Sequence, residues 1–176
     1  STLATTALGQ TLYLYQALPS TNREASSLAQ QGAAHGTVVA AEQQSGGYGR
    51  YGRAWFSPPG FNIYCSIVVR GKSPTVPHAQ WLSWVPLVTA LAVAEATRHI
   101  TTAPLALKWP NDLLLQDRKV GGILCESTLT TTHGPIVIIG IGLNVNVPLQ
   151  SFPEDLRPIA ASLIEVVQQP IDRNRL

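Results

Sequence analysis

Charge is what this sequence has least of. Only 12% of its 176 residues are Asp, Glu, Lys or Arg, against 45% hydrophobic residues. That balance excludes a disordered chain, which needs high charge and little apolar matter. A net charge of +2 excludes the dense basic face of a dedicated nucleic-acid binder. Acidic residues are missing altogether from Gln43 to Ala94, where Arg50, Arg53, Arg70 and Lys72 supply four positive charges; an anionic ligand is favoured there. Cysteine is nearly absent. Cys65 and Cys125 each lie in an apolar, strand-like run without a partner at metal-ligand spacing, so buried free thiols are expected and an oxidising compartment is not. No apolar run reaches the roughly 20 residues that span a bilayer, and no secretory signal opens the chain. The expectation is a soluble cytoplasmic protein with no membrane partner. At this length one domain can bury roughly 70% of its unfolded surface. Neither an internal repeat nor a low-complexity tract interrupts it.

What is there is a series of short strands with few helices. Gln10–Gln16 reads as a strand, followed by Ser20-Thr-Asn-Arg-Glu24, where Thr21 and Glu24 suit a capping box for a helix ending near Gly32. Gly36–Glu42 and Asn62–Arg70 are β-rich runs on either side of a glycine loop. Residues 79–99 predict a long apolar core helix containing Pro86. Strands then follow over 105–109, 113–115, 119–127 and 135–147, separated by turns at 110–112, 116–118 and 130–134. Turns that short favour antiparallel pairing. A last amphipathic helix is expected over 159–167.

The glycine loop, Ser45-Gly-Gly-Tyr-Gly-Arg-Tyr-Gly-Arg-Ala-Trp55, fits two nucleotide motifs by spacing and fails both by context. Gly47–Gly52 is formally G-x-G-x-x-G, but Arg53-Ala-Trp-Phe-Ser-Pro-Pro-Gly60 follows, and two prolines and a glycine cannot form the helix that a dinucleotide site needs. Arg53-Ala54 stands where a P-loop has Lys-Ser/Thr. The shared physics survives: glycine backbone turned toward an anion, with two arginine forks beside it. A hairpin tip with solvated arginines is the plain alternative, and Trp55 favours a ligand wall.

Two further constellations carry chemistry. In Lys108-Trp-Pro-Asn-Asp112 and Lys119-Val-Gly-Gly122, a lysine before paired glycines suits a point charge aimed at a carboxylate or phosphate. Asp112 suits either acid-base work or an Asx turn, and Lys108 suits an edge-strand gatekeeper as well as a ligand contact. In Gly140-Ile-Gly-Leu-Asn-Val-Asn146, glycines inside a strand mark a bulge or a close approach. Asn144 and Asn146 share a face, where they suit reading a nucleobase or closing hydrogen bonds. The four histidines, at 35, 78, 99 and 133, are scattered.

Taken together, Ser20-Thr-Asn22, Glu42–Ser57, Lys108–Asp112, Lys119–Leu124 and Gly140–Asn146 resemble the biotin protein ligase family, from about residue 10 to 176. The resemblance implies an α+β fold on a mixed, mainly antiparallel sheet with helices, related to class II aminoacyl-tRNA synthetases and lipoate ligases. It implies an ATP-dependent, AMP-forming reaction: biotin attacks the α-phosphate to give biotinyl-5'-AMP, and a lysine of the biotin carboxyl carrier protein of acetyl-CoA carboxylase takes the acyl group. By the same resemblance, Ser20, Thr21, Asn22 and Gln44, with Gly47, Tyr48, Gly49, Arg50, Lys119, Gly122 and Gly142, hold biotin. Arg50, Arg53, Trp55, Lys119 and Asn144 hold ATP or adenylate. Lys119 bridges carboxylate and α-phosphate with Arg50 and Arg53 on phosphate, and Asp112 helps deprotonate the acceptor or organises the Mg2+ carried by ATP.

The chain departs from the family pattern Gly-Arg-Gly-Arg-x-Gly-Arg at Tyr48, which replaces an arginine; altered affinity or adenylate retention is expected. The expected organisation is a single catalytic domain over 1–176, with no N-terminal DNA-binding domain and hence no DNA partner, and without the small C-terminal β-barrel. Apolar strand edges permit a homodimer. The rival readings are a lipoate or octanoate ligase on the same fold and a non-catalytic biotin-binding module.

Overall fold

The strands pack one face against each of two helices. The computed structural model describes residues 5–71, 78–101, 104–130 and 134–176; Lys72, His133 and most of the expected 130–134 turn lie outside the described residues. Seven strands run β1 Leu12–Tyr15, β2 Val38–Ala41, β3 Ile63–Arg70, β4 Ala106–Lys108, β5 Asp112–Leu115, β6 Arg118–Thr130 and β7 Gly134–Leu143. They form one mixed sheet in the order β1-β2-β3-β7-β6-β5-β4. Among the named strands of the described residues only β1 and β2 pair in parallel, and the other pairs are antiparallel. A parallel pair needs a crossover, and helix α1, Thr21–Gln30, supplies it. The fold is α+β, as the family resemblance implies, and the antiparallel pairing is the one that the short turns favour.

The strand alternation sorts side chains onto two faces. One face receives α1: Ala25 and Ala29 of the helix meet Val39, Val68, Ile136 and Ile138. The other receives the long helix α2, His78–Arg98, whose Leu82, Val85, Ala90 and Val93 pack on Leu113, Leu115, Ile123, Ile139 and Leu143. The fully buried Leu113, Leu115 and Ile123 each contribute about 1.5–3 kcal/mol. Pro86 lies inside α2. No helix among the described residues is long and apolar enough to cross a membrane.

Three local expectations need correction. The helix expected over 159–167 is only α3, Ile164–Val167. The residues before it run beside β6, with the Lys119 amide donating to the Ile159 carbonyl at 2.7 Å and the Ala161 amide to the Lys119 carbonyl at 2.8 Å. Pairing with a strand overrides helical periodicity there. The capping box also fails. Ser20 is the N-cap and makes no side-chain cap bond; Thr21 turns to Gln44, and Glu24 accepts from the Tyr15 hydroxyl at 2.9 Å. Finally, Arg70 does not meet an external anion. Its guanidinium donates to the carbonyls of Ala29 and Ala33, satisfying the C-terminal end of α1.

Both cysteines are free and half-buried. Burial pushes the Cys65 thiol up to about 11 and Cys125 to about 12. The thiolate is the reactive form, so at pH 8 both should resist iodoacetamide in the folded protein and react within minutes once unfolded; mass spectrometry of the two states checks this.

Candidate active site

On the α1 face of the sheet two strand glycines leave a trough. Gly140 and Gly142 of β7 point the same way as Gly122 and Leu124 of β6, their cross-strand partners. A Cβ on Gly140 would fall 2.2 Å from Asn22 Oδ1, and one on Gly142 would fall 2.8 Å from the Trp55 indole. The close approach expected at these glycines is therefore made in this structure by the protein's own side chains. Trp55 occupies the ground that Gly122 and Gly142 were expected to offer a ligand, with its buried Nε1 unpartnered. An orphaned buried donor costs free energy until a partner arrives.

Lys119 reaches this trough because of a bulge. Asp112 pairs with Gly122 and Leu113 with Gly121, but Leu114 pairs with Lys119. Val120 is the additional residue and is fully buried in the α2-side core. Strict alternation would put Lys119 on the opposite face from Gly122; the additional residue restores it to the same face. Lys119 Nζ then sits 2.7 Å from Asp112 Oδ1 and 5.4 Å from the centre of the Trp55 ring. Asp112 opens β5 rather than closing a turn. Its neighbour Asn111 pins that corner to β6, donating from Nδ2 to the Ile123 carbonyl at 2.9 Å.

At the other end lie Ser20, Thr21 and Asn22, all buried at the start of α1. Gln44 Oε1 accepts from the Thr21 backbone amide at 2.9 Å, and Gln44 Nε2 donates to Ser57 Oγ at 3.1 Å. Ser66 Oγ donates to Asn22 Oδ1 at 2.6 Å, and Asn22 Nδ2 donates to Glu126 at 2.7 Å. Between the two ends runs a cavity of about 700 Å³ lined by Thr21, Gln44, Trp55, Asp112, Lys119 and Asn144, among others. Its rim carries exposed apolar groups, Tyr51, Trp109 and Ile159.

The glycine loop covers this cavity as an ordered hairpin. Tyr48 bridges Ala54, the Gly49 amide donates to the Arg53 carbonyl at 2.8 Å, and the Trp55 amide donates to Gly47 at 2.9 Å. Its tip is a 3-10 turn over Arg50–Gly52 in which Tyr51 takes a left-handed φ of 58°. The Gly49 amide is thus committed within the hairpin rather than aimed at an anion. Arg50 and Arg53 are exposed at the cavity mouth, Arg50 lying over the Tyr51 ring. Lys108, also on the wall, is exposed on edge strand β4.

Every residue that the sequence reading assigned to the site lines this cavity except Gly47, which is buried behind it against Gln44 and Ser57. Asn144 spends part of its amide on the protein, donating to Ala161 and accepting from Asn62. Asn146 ties down the chain end through Ile171 and faces away from the cavity. Glu126 and Ser66 were missed. Neither carries a local signal; both enter through strand register.

The model of the biotin/lipoate A/B protein ligase family matches residues 14–145. The chain belongs to that family. Among curated biotin/lipoate ligase relatives, the bifunctional ligase/repressor BirA of Bacillus subtilis is 37% identical over 171 residues, covering 97% of this chain and 51% of the relative. The biotin--[acetyl-CoA-carboxylase] ligase of Mycobacterium tuberculosis is 37% identical over 161 residues, covering 89% and 56%. The chain thus spans about half the length of these relatives. Among solved structures, the biotin protein ligase of Aquifex aeolicus in complex with biotin and ATP superposes with a TM-score of 0.77 at 34% identity, covering 94% of this chain and 64% of that one.

Proposed function

We propose that this chain carries the catalytic unit of an ATP-dependent biotin protein ligase. The observation that carries the reading is the placement of one ammonium, Lys119, between a polar amide and hydroxyl pocket and a mouth flanked by Arg50 and Arg53. Amides and hydroxyls at Ser20, Thr21, Asn22 and Gln44 suit the ureido group of biotin, and the apolar trough beyond them suits its ring and chain. The biotin carboxylate then arrives at Lys119.

A carboxylate and an α-phosphate repel each other as they meet. Lys119 would lie between them and, with Arg50 and Arg53 on the phosphates, stabilise the charge that spreads as the carboxylate oxygen bonds to phosphorus and pyrophosphate leaves. In the second step the acceptor lysine amine attacks the acyl carbon, AMP departs, and the amine loses a proton. Asp112, bonded to Lys119, is placed to receive it or to hold the ammonium in position. Trp55, seated on Gly142, would move onto the adenylate as a wall. Asp112, an oxygen donor on the cavity wall, would hold the magnesium carried by ATP, which would neutralise phosphate charge.

The acceptor is a biotin carboxyl carrier protein, which an ATP-dependent reading places with the ligase in the cytoplasm. The test is pyrophosphate release with ATP and magnesium in the presence of biotin, lipoate or octanoate, followed by transfer to a purified biotin carrier domain. Biotin-dependent release is expected. Release driven by lipoate or octanoate alone would reassign the substrate, and biotin binding without release would leave a binding module.

A further inference from the structure

The arginine that the family pattern carries in its glycine loop is here Tyr48, and the structure gives that tyrosine a partner. Its hydroxyl donates to the Glu126 carboxylate, 3.0 and 3.2 Å from the two oxygens. The Arg23 guanidinium covers its ring at 5.2 Å. Glu126 in turn accepts from Asn22, whose carbonyl oxygen accepts from Ser66, itself 2.8 Å from Thr21 Oγ1. Thr21 meets Gln44, Gln44 meets Ser57, and Ser57 bonds back to the Trp55 carbonyl. One relay of hydrogen bonds therefore starts on the loop at Tyr48, crosses the pocket floor, and returns to the loop at Trp55.

We propose that Tyr48 and Glu126 are positioning residues that latch the glycine loop over the cavity and couple the latch to the Thr21–Asn22–Gln44 pocket. The proposal rests on the ligase reading and adds to it how the loop is held. Among the described residues no cation lies within 4.0 Å of the Glu126 carboxylate. Its charge is held by two neutral donors, the Tyr48 phenol and the Asn22 amide. A hydrogen bond to an ionised acceptor is among the strong ones, and without an ion pair it is weakly screened by salt. A phenol on two rotatable bonds also loses less freedom when fixed than an arginine does. The relay joins at Glu126, so a ligand that engages Asn22 acts on the same carboxylate that holds the loop.

The experiment follows pyrophosphate release without an acceptor, where a burst reports adenylate formation and the later slow rate reports its escape. Parent, Tyr48→Phe, Glu126→Gln, the double variant and Tyr48→Arg are compared. Hydrogen exchange of the loop amides over residues 46–57 is measured with and without biotin. In Tyr48→Phe and in Glu126→Gln the escape rate should rise about 10- to 100-fold relative to the burst rate, the effect expected from losing one bond to a charged group. The effect of the double variant should fall short of the two single effects combined, since the Tyr48–Glu126 bond can be lost only once. Tyr48→Arg should retain adenylate at low salt and lose it as salt rises, while the parent stays flat. Parent-like escape and loop exchange in both singles, or effects that add in the double, would overturn the latch. A parent without a biotin-dependent burst sinks the ligase reading alone. The exchange arm then still decides the latch, since unchanged loop protection in Tyr48→Phe refutes it.

Discussion

Replacing Lys119 with methionine should lower biotin-dependent pyrophosphate release by at least about 10²- to 10³-fold, the range lost when one preorganised charge-stabilising donor is removed. Methionine keeps much of the length and apolar stem that packs beside Gly122 and Trp55, so the change is mostly one of charge. It also leaves Asp112, now without its 2.7 Å partner, facing an incoming carboxylate and phosphates. Repulsion replaces attraction at the point where the anions meet. Asp112→Asn in the same background should therefore recover part of the biotin affinity and little of the rate. Lys119→Arg keeps the charge, but a planar fork does not fit the point-charge position against the indole, and most of the rate should still be lost. Release assays, with thermal melts showing an intact fold, check this; a Lys119→Met rate within threefold of the parent would remove Lys119 from the mechanism.

Gly140→Ala should abolish most biotin binding without touching any charged residue. The new methyl would fall 2.2 Å from Asn22 Oδ1, and the Asn22 amide is held by Ser66 at 2.6 Å and Glu126 at 2.7 Å. A short side chain tied at both ends has nowhere to go, so either it leaves the pocket or the start of α1 lifts from the sheet. Loss of affinity of about 10²-fold or more is expected, with a stability cost of about 1–3 kcal/mol from overpacking. Titration calorimetry and denaturant unfolding separate the two. Gly142→Ala offers the contrast. Its methyl would meet Trp55, a loop residue that can swing away, so stability should barely change. Equal affinity in Gly140→Ala and parent would show that Asn22 is not part of the pocket floor.

Much of this was legible from residue order. The strands over 12–15, 38–41, 63–70 and 112–115 follow from alternation and turn chemistry. The failure of the loop to open a helix follows from Pro58 and Pro59. The errors share a cause. Residues 159–163 have helical periodicity, yet the Ile159 carbonyl and the Ala161 amide bond to Lys119 and the Leu163 amide to Asn144. Thr21 and Glu24 have capping spacing, yet both side chains bond to groups distant in sequence. Arg70 counts as free positive charge in the sequence and is spent on the end of α1. In each case a long-range partner won over a local rule.

By itself the sequence determined the kinds of chemistry available: a glycine loop with two arginines, a lysine before paired glycines, amides and hydroxyls at Ser20–Asn22, and a family pattern broken at Tyr48. Those are properties of residue type and spacing, which act within a few positions along the chain. Only the tertiary structure decided which of them meet. The additional residue at Val120 turns Lys119 from the core face to the site face, and the pairing of β6 with β7 sets Glu126 where both Asn22 and Tyr48 reach it. Register between strands is settled by packing and by backbone bonds between segments far apart in sequence, so no local pattern contains it.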